Sequence, residues 1–335
     1  MTDATGTPST PSRVVLTDIA PDAWEHPADR AALNALRKVP GFDDAVKRIF
    51  GFFGERGIQL MFQANAVRCG PNQFPKLYTM LGEVCATMDW PVQPDLYVTQ
   101  TPMVNAGAVG FEHPFIVLNS GAVSLLDDDE IRVLIGHELG HVMSGHALYR
   151  TITILVLTLG FQNLPFLAGI ALMPIKLALL EWYRKAEHSA DRAGLLTSQA
   201  LDSSLRVFLK LAGGGDMTQM NLEAFMEQAK EYEAGGGPLD AIYKILNTLG
   251  ATHPFNTLRA AELQRWVDGG TYEKILGGEY PHRDGEGQED YSYMNDIKDA
   301  ATHYGQEARD VASQMADAAK KAAQAFASAF REPRE

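Results

Sequence analysis

The segment His137-Glu138-Leu139-Gly140-His141 has the residue types and the spacing of a metal-dependent hydrolytic site. On an α-helix, residues four positions apart lie on one face, so both imidazoles can bind one metal ion. Glu138 follows the first histidine and can accept a proton from a metal-bound water molecule. The motif therefore predicts a zinc site with its own general base.

The residues around this motif predict an amphipathic helix. Three short acidic residues, Asp127 to Asp129, precede it, and such residues cap helix starts and suit the positive end of the helix dipole. Acidic residues also suit calcium, but no loop with ligands at alternate positions follows, so we interpret the run as a cap. The predicted buried stripe consists of Ile131, Leu134, Ile135, Leu139 and Val142. Both histidines lie beside this stripe, where a metal site is sheltered.

A third protein ligand has to come from another part of the chain. The metzincin position, six residues after His141, is Ala147, so we interpret His146 as a helix-end residue or a support for a ligand. Glu187 is the alternative ligand, and Asp191, one helical turn later, can hold a ligand histidine by its free ring N–H. Glu187 and Asp191 would also suit a solvated helix face with basic neighbours. The HExxH motif favours the ligand interpretation.

Composition and charge narrow the function classes. The chain has 335 residues, of which 46% are hydrophobic, and its net charge of −13 argues against nucleic acid as a partner. Its two cysteines, Cys69 and Cys85, give no disulfide framework. The segment Met1 to Arg13 is polar and lacks the basic start and apolar core of a secretory signal. We therefore expect a reducing, cytoplasmic location, with both cysteines as core residues.

Apolar periodicity and turn residues predict an α+β, mostly helical fold with a small β-sheet beside the HExxH helix. The elements predicted before that helix are helices over Pro27–Lys38, Phe42–Arg56 and Phe74–Met88, and strands over Asp95–Thr99 and Phe115–Asn119, with turn residues at Asn105–Ala108. The predicted organisation is a disordered tail over 1–25, a zinc metallopeptidase domain over 26–276, a linker over 277–295 and an Ala-rich amphipathic helix over 296–332.

The run from Thr151 to Ile175 carries no charge and is long enough to cross a bilayer once. A single crossing would place His141 and Glu187 on opposite sides of the membrane, which a shared metal ion forbids. Two crossings need roughly 40 apolar residues, more than the segment provides. We therefore expect an apolar helical hairpin over 151–182. Two alternatives remain open: it is buried in the fold, or it dips into a membrane surface.

The C-terminal helix has its small apolar residues at three-four spacing, and alanines bury little area. Three roles remain open for it. It packs on the body of the protein, it self-associates, or it lies on a membrane through 296–330 with Phe326 and Phe330 inserted.

Taken in order, these features resemble the HtpX and CAAX prenyl protease family, number forty-eight of the metallopeptidases, over roughly Leu77 to Val267. The parts that carry the resemblance are Asn105-Ala106 before a strand, Gly121 and Leu125 before the acidic cap, His137 to His141, Glu187 to Asp191, and His253-Pro254 with Arg259. In this family a histidine-proline pair stands six residues before an arginine, which makes the last part specific. The membrane members have full transmembrane helices, so this chain is more similar to a soluble or peripheral member.

The resemblance implies a zincin-like, zinc-dependent endopeptidase of the glutamate-ligand type, with one zinc ion per subunit and a protein or peptide as substrate. The family's zinc ligands match His137, His141 and Glu187. Glu138 matches the general base. Asn105 and Ala106 match the edge segment that holds the substrate backbone.

His253 and Arg259 match family residues that steady the oxyanion or the site around it. For His253, a helix-capping loop is an equally good interpretation, because Thr252 and Pro254 suit a helix start.

The predicted function is a protease that acts in protein quality control at a membrane. Two other functions are alternatives. The first is a non-proteolytic zinc scaffold that binds membrane or partner proteins, against which the presence of Glu138 argues, since binding alone needs no base. The second is another class of hydrolase, which the lack of a G-x-S-x-G elbow or a recognisable cysteine nucleophile disfavours.

Overall fold

Helices dominate the architecture, as the three-four spacing of apolar residues predicts, and a small sheet lies beside them. The computed structural model describes residues 13–159, 172–234 and 255–283. Its helices are α1 (Pro27–Arg37), α2 (Phe42–Gln63), α3 (Pro75–Thr87), α4 (Ser120–Leu125), α5 (Asp128–Met143), α6 (Ala147–Leu159), α7 (Leu172–Ser198), α8 (Leu201–Gly213), α9 (Leu222–Ala234), α10 (Asn256–Asp268) and α11 (Thr271–Leu276). Its strands are β1 (Ala66–Arg68), β2 (Leu96–Thr99), β3 (Ala106–Val109) and β4 (Phe115–Asn119).

The four strands form one sheet in the order β1-β2-β4-β3. β2 and β4 are parallel, whereas β1 and β3 are antiparallel to their neighbours. Successive side chains of a strand point to opposite faces, and both faces of β2 and β4 are buried. Ile116 and Leu118 belong to a core shared with α3, α5 and α8, and Phe115 and Val117 belong to a core shared with α2, α6 and α7. Burial on both sides explains why these two strands are apolar throughout.

β3 occupies the edge of the sheet next to α5, where the sequence predicted turn residues. The prediction failed because Ala106, Gly107 and Ala108 have low intrinsic strand propensity, and their pairing with β4 makes the strand. The backbone N–H of Asn119 donates to the Asn105 carbonyl at 3.0 Å. Since hydrogen-bonded and non-bonded pairs alternate in an antiparallel ladder, the backbone groups of Ala106 and Ala108 point away from β4.

The N-terminal segment from residue 13 is folded onto the body, so the expected disorder up to residue 25 is wrong for this part. Leu16, Ile19 and Trp24 are fully buried in the main core. The Leu16 N–H donates to the Thr87 carbonyl at 2.8 Å, and Ile19 pairs with His282 of the expected linker. Burial of these three large apolar side chains, together with the backbone hydrogen bonds, opposes the entropy cost of ordering this segment.

The described ends of the expected hairpin, in α6 and α7, pack into the second core. Ile152, Leu155, Ile175 and Leu179 are buried there. Leu177 is 54% exposed. Across the described parts of the chain, no helix combines the length and the apolar character needed to cross a membrane. The turn of the hairpin, His253, most of the expected linker and the C-terminal helix lie outside the described residues.

Glu262 of α10 ties the N-terminal segment to the C-terminal helices. Its carboxylate lies 3.1 Å from Nε2 of His26, the residue that caps α1 by accepting the Ala28 N–H at Nδ1. Burial raises the pKa of Glu262, but the hydrogen bond with His26 and nearby positive charge more than offset it and hold the pKa at about 2. The interaction therefore stabilises the fold fully above the ordinary pKa of 4.5 and is lost as pH falls toward 2.

Between about pH 5 and pH 2, we expect Glu262→Gln to lose less unfolding free energy than the parent protein does. The difference should be on the order of 2–3 kcal/mol. Denaturant unfolding at several pH values measures the effect. Glu227→Gln, which removes an exposed carboxylate of α9, is the control and should keep the slope of the parent protein. If all three proteins lose unfolding free energy equally as the pH falls, Glu262 does not contribute to the acid sensitivity of the fold.

Candidate metal centre

α5 begins at a capping box. The Asp127 carboxylate accepts the backbone N–H of Glu130 at 3.0 Å, and the Glu130 carboxylate accepts the backbone N–H of Asp127 at 2.9 Å. Lys210 of α8 also donates to Glu130, at 2.6 Å. These contacts confirm that the acidic run is a helix cap, which fixes where α5 begins.

Two glycines let α5 and α7 approach closely, and each precedes one of the two histidines. A Cβ atom at Gly136 would overlap the Thr197 side chain of α7, and one at Gly140 would lie 2.5 Å from Cβ of Ala193. Any larger residue would push α7 away from α5. The close approach brings Glu187, on α7, within reach of both histidines.

His137, His141 and Glu187 converge, and each is buried. Nε2 of His137 lies 3.4 Å from Oε2 of Glu187, and Nε2 of His141 lies 3.5 Å from Oε1 of Glu187. In a tetrahedral zinc site, metal–ligand distances of about 2.0–2.2 Å separate ligand atoms by roughly 3.3–3.6 Å. The donor set and its spacing therefore fit a metal ion, and the sequence-predicted Glu187 lies next to both histidines.

Asp191 lies behind His137, as the sequence predicted for a residue that holds a ligand histidine. Its Oδ1 lies 3.0 Å from His137 Nδ1, and Arg259 donates to both oxygens, from Nε at 2.9 Å and from Nη2 at 2.5 Å. Burial raises the pKa of Asp191, but the charge and hydrogen bonds of Arg259, with the hydrogen bond of His137, hold it below the usual value. An ionised Asp191 accepts the His137 Nδ1–H and leaves the Nε2 lone pair for a metal.

Glu138 is buried next to this cluster. Its Oε1 lies 4.0 Å from His137 Nε2, and its carboxylate accepts a hydrogen bond from the backbone N–H of Ala108 on the edge strand. Burial raises the pKa of Glu138 despite the opposing positive charge of Arg150, whose Nη2 is 3.7 Å away. A carboxylate with a raised pKa is better suited to take and return a proton near neutral pH.

A cavity of about 370 Å³ opens onto these residues. Asn105 and Ala106 line it, so the segment predicted to hold a substrate backbone lies beside the candidate metal ligands. The other polar residues of its wall include His137, Glu138, Glu187, Asp191 and Arg259, and its apolar wall includes Val133, Leu134, Val207, Phe208 and Leu263.

Comparison with known proteins agrees with this geometry. The model of "Peptidase family M48" matches residues 71–267, which contain every candidate site residue. The plastoglobule-localized metallopeptidase 48 of Arabidopsis thaliana chloroplasts is 33% identical over 264 residues, covering 77% of this chain and 76% of that protein. The chain belongs to peptidase family M48.

Bacterial relatives match a smaller share of this chain than the Arabidopsis protein does. HtpX protease homologs of Ralstonia nicotianae and Burkholderia multivorans are 26% and 27% identical, over 66% of this chain and 83% and 84% of theirs. No solved structure matches this chain. As an M48 member, the protein is a metal-dependent peptidase that acts on proteins or peptides.

Arg259 was predicted to steady the oxyanion or the site around it. In this M48 chain its Nε and Nη2 are engaged with Asp191, and Nη2 also lies 3.4 Å from Glu187 Oε2. The geometry therefore favours the second half of the prediction, in which Arg259 holds acidic residues of the site in place.

Arg150 of α6 is a site residue that the sequence reasoning missed. It is fully buried, its Nη1 lies 2.6 Å from Glu187 Oε1 and 2.7 Å from His141 Nε2, and its guanidinium lies 4.5 Å from the centre of the Tyr183 ring. The sequence feature that could have indicated Arg150 is its position directly before the uncharged run that begins at Thr151. A cation at the start of an apolar helix needs a buried acidic partner.

Proposed function

We propose that this M48 peptidase is a zinc-dependent endopeptidase, with His137, His141 and Glu187 as the ligands of one zinc ion and Glu138 as the general base. The observation that carries the proposal is the convergence of those three ligands, with Glu138 beside them, at a cavity flanked by an open strand edge. When bound, zinc lowers the pKa of a water molecule and polarises the carbonyl of the scissile peptide bond.

Glu138 supplies the proton transfers of this mechanism. Its carboxylate takes the proton of the attacking water and delivers it to the nitrogen of the leaving amine. The Ala108 N–H orients that carboxylate toward His137 and the cavity. The buried position of Glu138 keeps bulk water from competing for the proton.

The edge strand supplies substrate alignment. The outward backbone groups of Ala106 can pair with an extended peptide laid along β3, with Asn105 at the start of the strand. Main-chain pairing predicts weak sequence preference, and the apolar wall around Phe208 favours an apolar side chain next to the cleaved bond. By its match to the family's histidine-proline pair, His253 is proposed to steady the oxyanion or the site around it.

For location, we propose peripheral association with a membrane or lipid surface, in a role in protein quality control. The uncharged run from Thr151 to Ile175 and the exposed Leu177 support this placement, as does the plastoglobule location in the name of the Arabidopsis relative. We propose that the contact with that surface runs through 151–182 or through 296–330. Self-association through the C-terminal helix is a separate proposal.

Cleavage of casein by the purified full-length chain tests the function. We expect a chelator to abolish cleavage and stoichiometric zinc to restore it, with elemental analysis giving one zinc ion per chain. A zinc-loaded, folded protein that cleaves neither casein nor a peptide library would favour the scaffold alternative. Undiminished cleavage by metal-free protein would exclude the proposed mechanism.

A further inference from the structure

We propose that Asp29 and His146 form a hydrogen-bonded relay that fixes the ring orientation and the tautomer of His141. The N-terminal helix α1 is then part of the metal site, although it lies outside the segment that the family model matches. The inference rests on the proposed metal site and assigns Asp29 and His146 as positioning residues.

The relay consists of two contacts between buried side chains. Nδ1 of His141 lies 3.0 Å from Nδ1 of His146, and Nε2 of His146 lies 3.1 Å from Oδ2 of Asp29. Asp29 also accepts the Trp182 indole N–H at 3.0 Å and the Ser189 hydroxyl at 2.6 Å, both from α7. All three members of the relay are at most 2% exposed.

The partners at the two ends determine where the protons lie. Arg150 can only donate, and its Nη1 lies 2.7 Å from His141 Nε2, so that nitrogen must carry a lone pair. The single proton of His141 is therefore on Nδ1 and is donated to His146 Nδ1. His146 in turn has its proton on Nε2 and donates it to the Asp29 carboxylate.

The opposite arrangement conflicts with Arg150. A doubly protonated His146 would donate to Nδ1 of His141, and the His141 proton would move to Nε2, directly against the guanidinium donor. The Nδ1–H tautomer of His141 is also the one whose Nε2 lone pair, which faces Arg150 here, can bind a metal in place of that hydrogen bond. Arg150, which can only donate, and Asp29, which can only accept, thus fix His141 in the tautomer that binds a metal.

The two candidate histidine ligands are supported in different ways. Asp191 contacts the ring of His137 directly, whereas the carboxylate behind His141 acts through a second imidazole. Asp29 also satisfies the buried donors of Trp182 and Ser189 on α7. These two contacts hold its carboxylate in the orientation that accepts the His146 Nε2–H.

The test compares zinc affinity, by chelator competition, and the visible absorption spectrum of the Co²⁺-loaded protein in folded variants. We expect His146→Leu and Asp29→Asn each to weaken zinc binding about 10–100-fold and to alter the Co²⁺ bands. His146→Gln should recover most of the affinity, because its amide presents an acceptor and a donor at nearly the spacing of the ring nitrogens.

Glu130→Gln is the matched control, since it changes a fully buried carboxylate on α5 that contacts Lys210 and none of the candidate ligands. It should lower the unfolding midpoint without changing zinc affinity or the Co²⁺ spectrum. If His146→Leu does not fold, zinc affinity and the Co²⁺ spectrum are compared between the parent protein, Asp29→Asn and His146→Gln.

Parent-like affinity and spectrum in folded Asp29→Asn would overturn the relay while leaving the peptidase proposal intact. Failure of the parent protein itself to bind zinc would instead overturn the proposed metal site. The two failures are therefore distinguishable.

Discussion

Glu138→Gln should bind zinc as tightly as the parent protein and hydrolyse peptides about 10²–10⁴-fold more slowly, the usual contribution of a general base. The amide has nearly the volume of the carboxylate and can keep an acceptor toward the Ala108 N–H, so the packing around it is preserved. It cannot take a proton from water. The effect should therefore appear in kcat, with the metal content unchanged.

Single-turnover cleavage of a fluorogenic peptide, with zinc measured on the same sample, checks this expectation. Glu83→Gln is the control, because Glu83 is an exposed carboxylate of α3 that pairs with Arg132 of α5 and does not line the cavity. A fully active Glu138→Gln protein would refute the assignment of the base. The same variant, if inactive and folded, is suited to trap substrates for identification.

Local patterns account for the parts of the site that lie on one helix. The His137 to His141 spacing and the acidic cap are local patterns, and α5 has both as predicted. Of the predicted stripe, Leu134 and Val142 are only partly buried, and α5 is buried on its other faces as well because helices and the sheet surround it. Glu187 and Asp191 are also one turn apart, so their shared face could be read from the sequence once HExxH required a third ligand. Strands β2 and β4 were predictable because their runs are apolar and β-branched.

Contacts between distant segments account for what was missed. β3 depends on its register with β4, since the Ala-Gly-Ala sequence alone has little preference for a strand. Asp29 meets His146 across the packing of α1 on α7, a contact between segments far apart in sequence that no local periodicity encodes. Arg150 was hidden for the same reason, because its partner Glu187 belongs to another helix.

Glu187→Gln should lose zinc and peptide hydrolysis together. The substitution keeps the size of the side chain but replaces the anionic carboxylate on which both Arg150 and Arg259 converge. We expect zinc affinity to fall by more than the roughly 10–100-fold typical of a residue that only supports a ligand. The metal-free variant should also unfold more easily, because two buried guanidinium groups lose an anionic partner.

Unfolding with and without zinc separates these two effects. Zinc at about 100 times its dissociation constant should raise the unfolding free energy of the parent by about 2.7 kcal/mol and leave the variant unchanged. Glu181→Gln, an exposed position on the same helix, is the control and should respond to zinc as the parent does. Full zinc occupancy in folded Glu187→Gln would refute the need for a carboxylate ligand at this position.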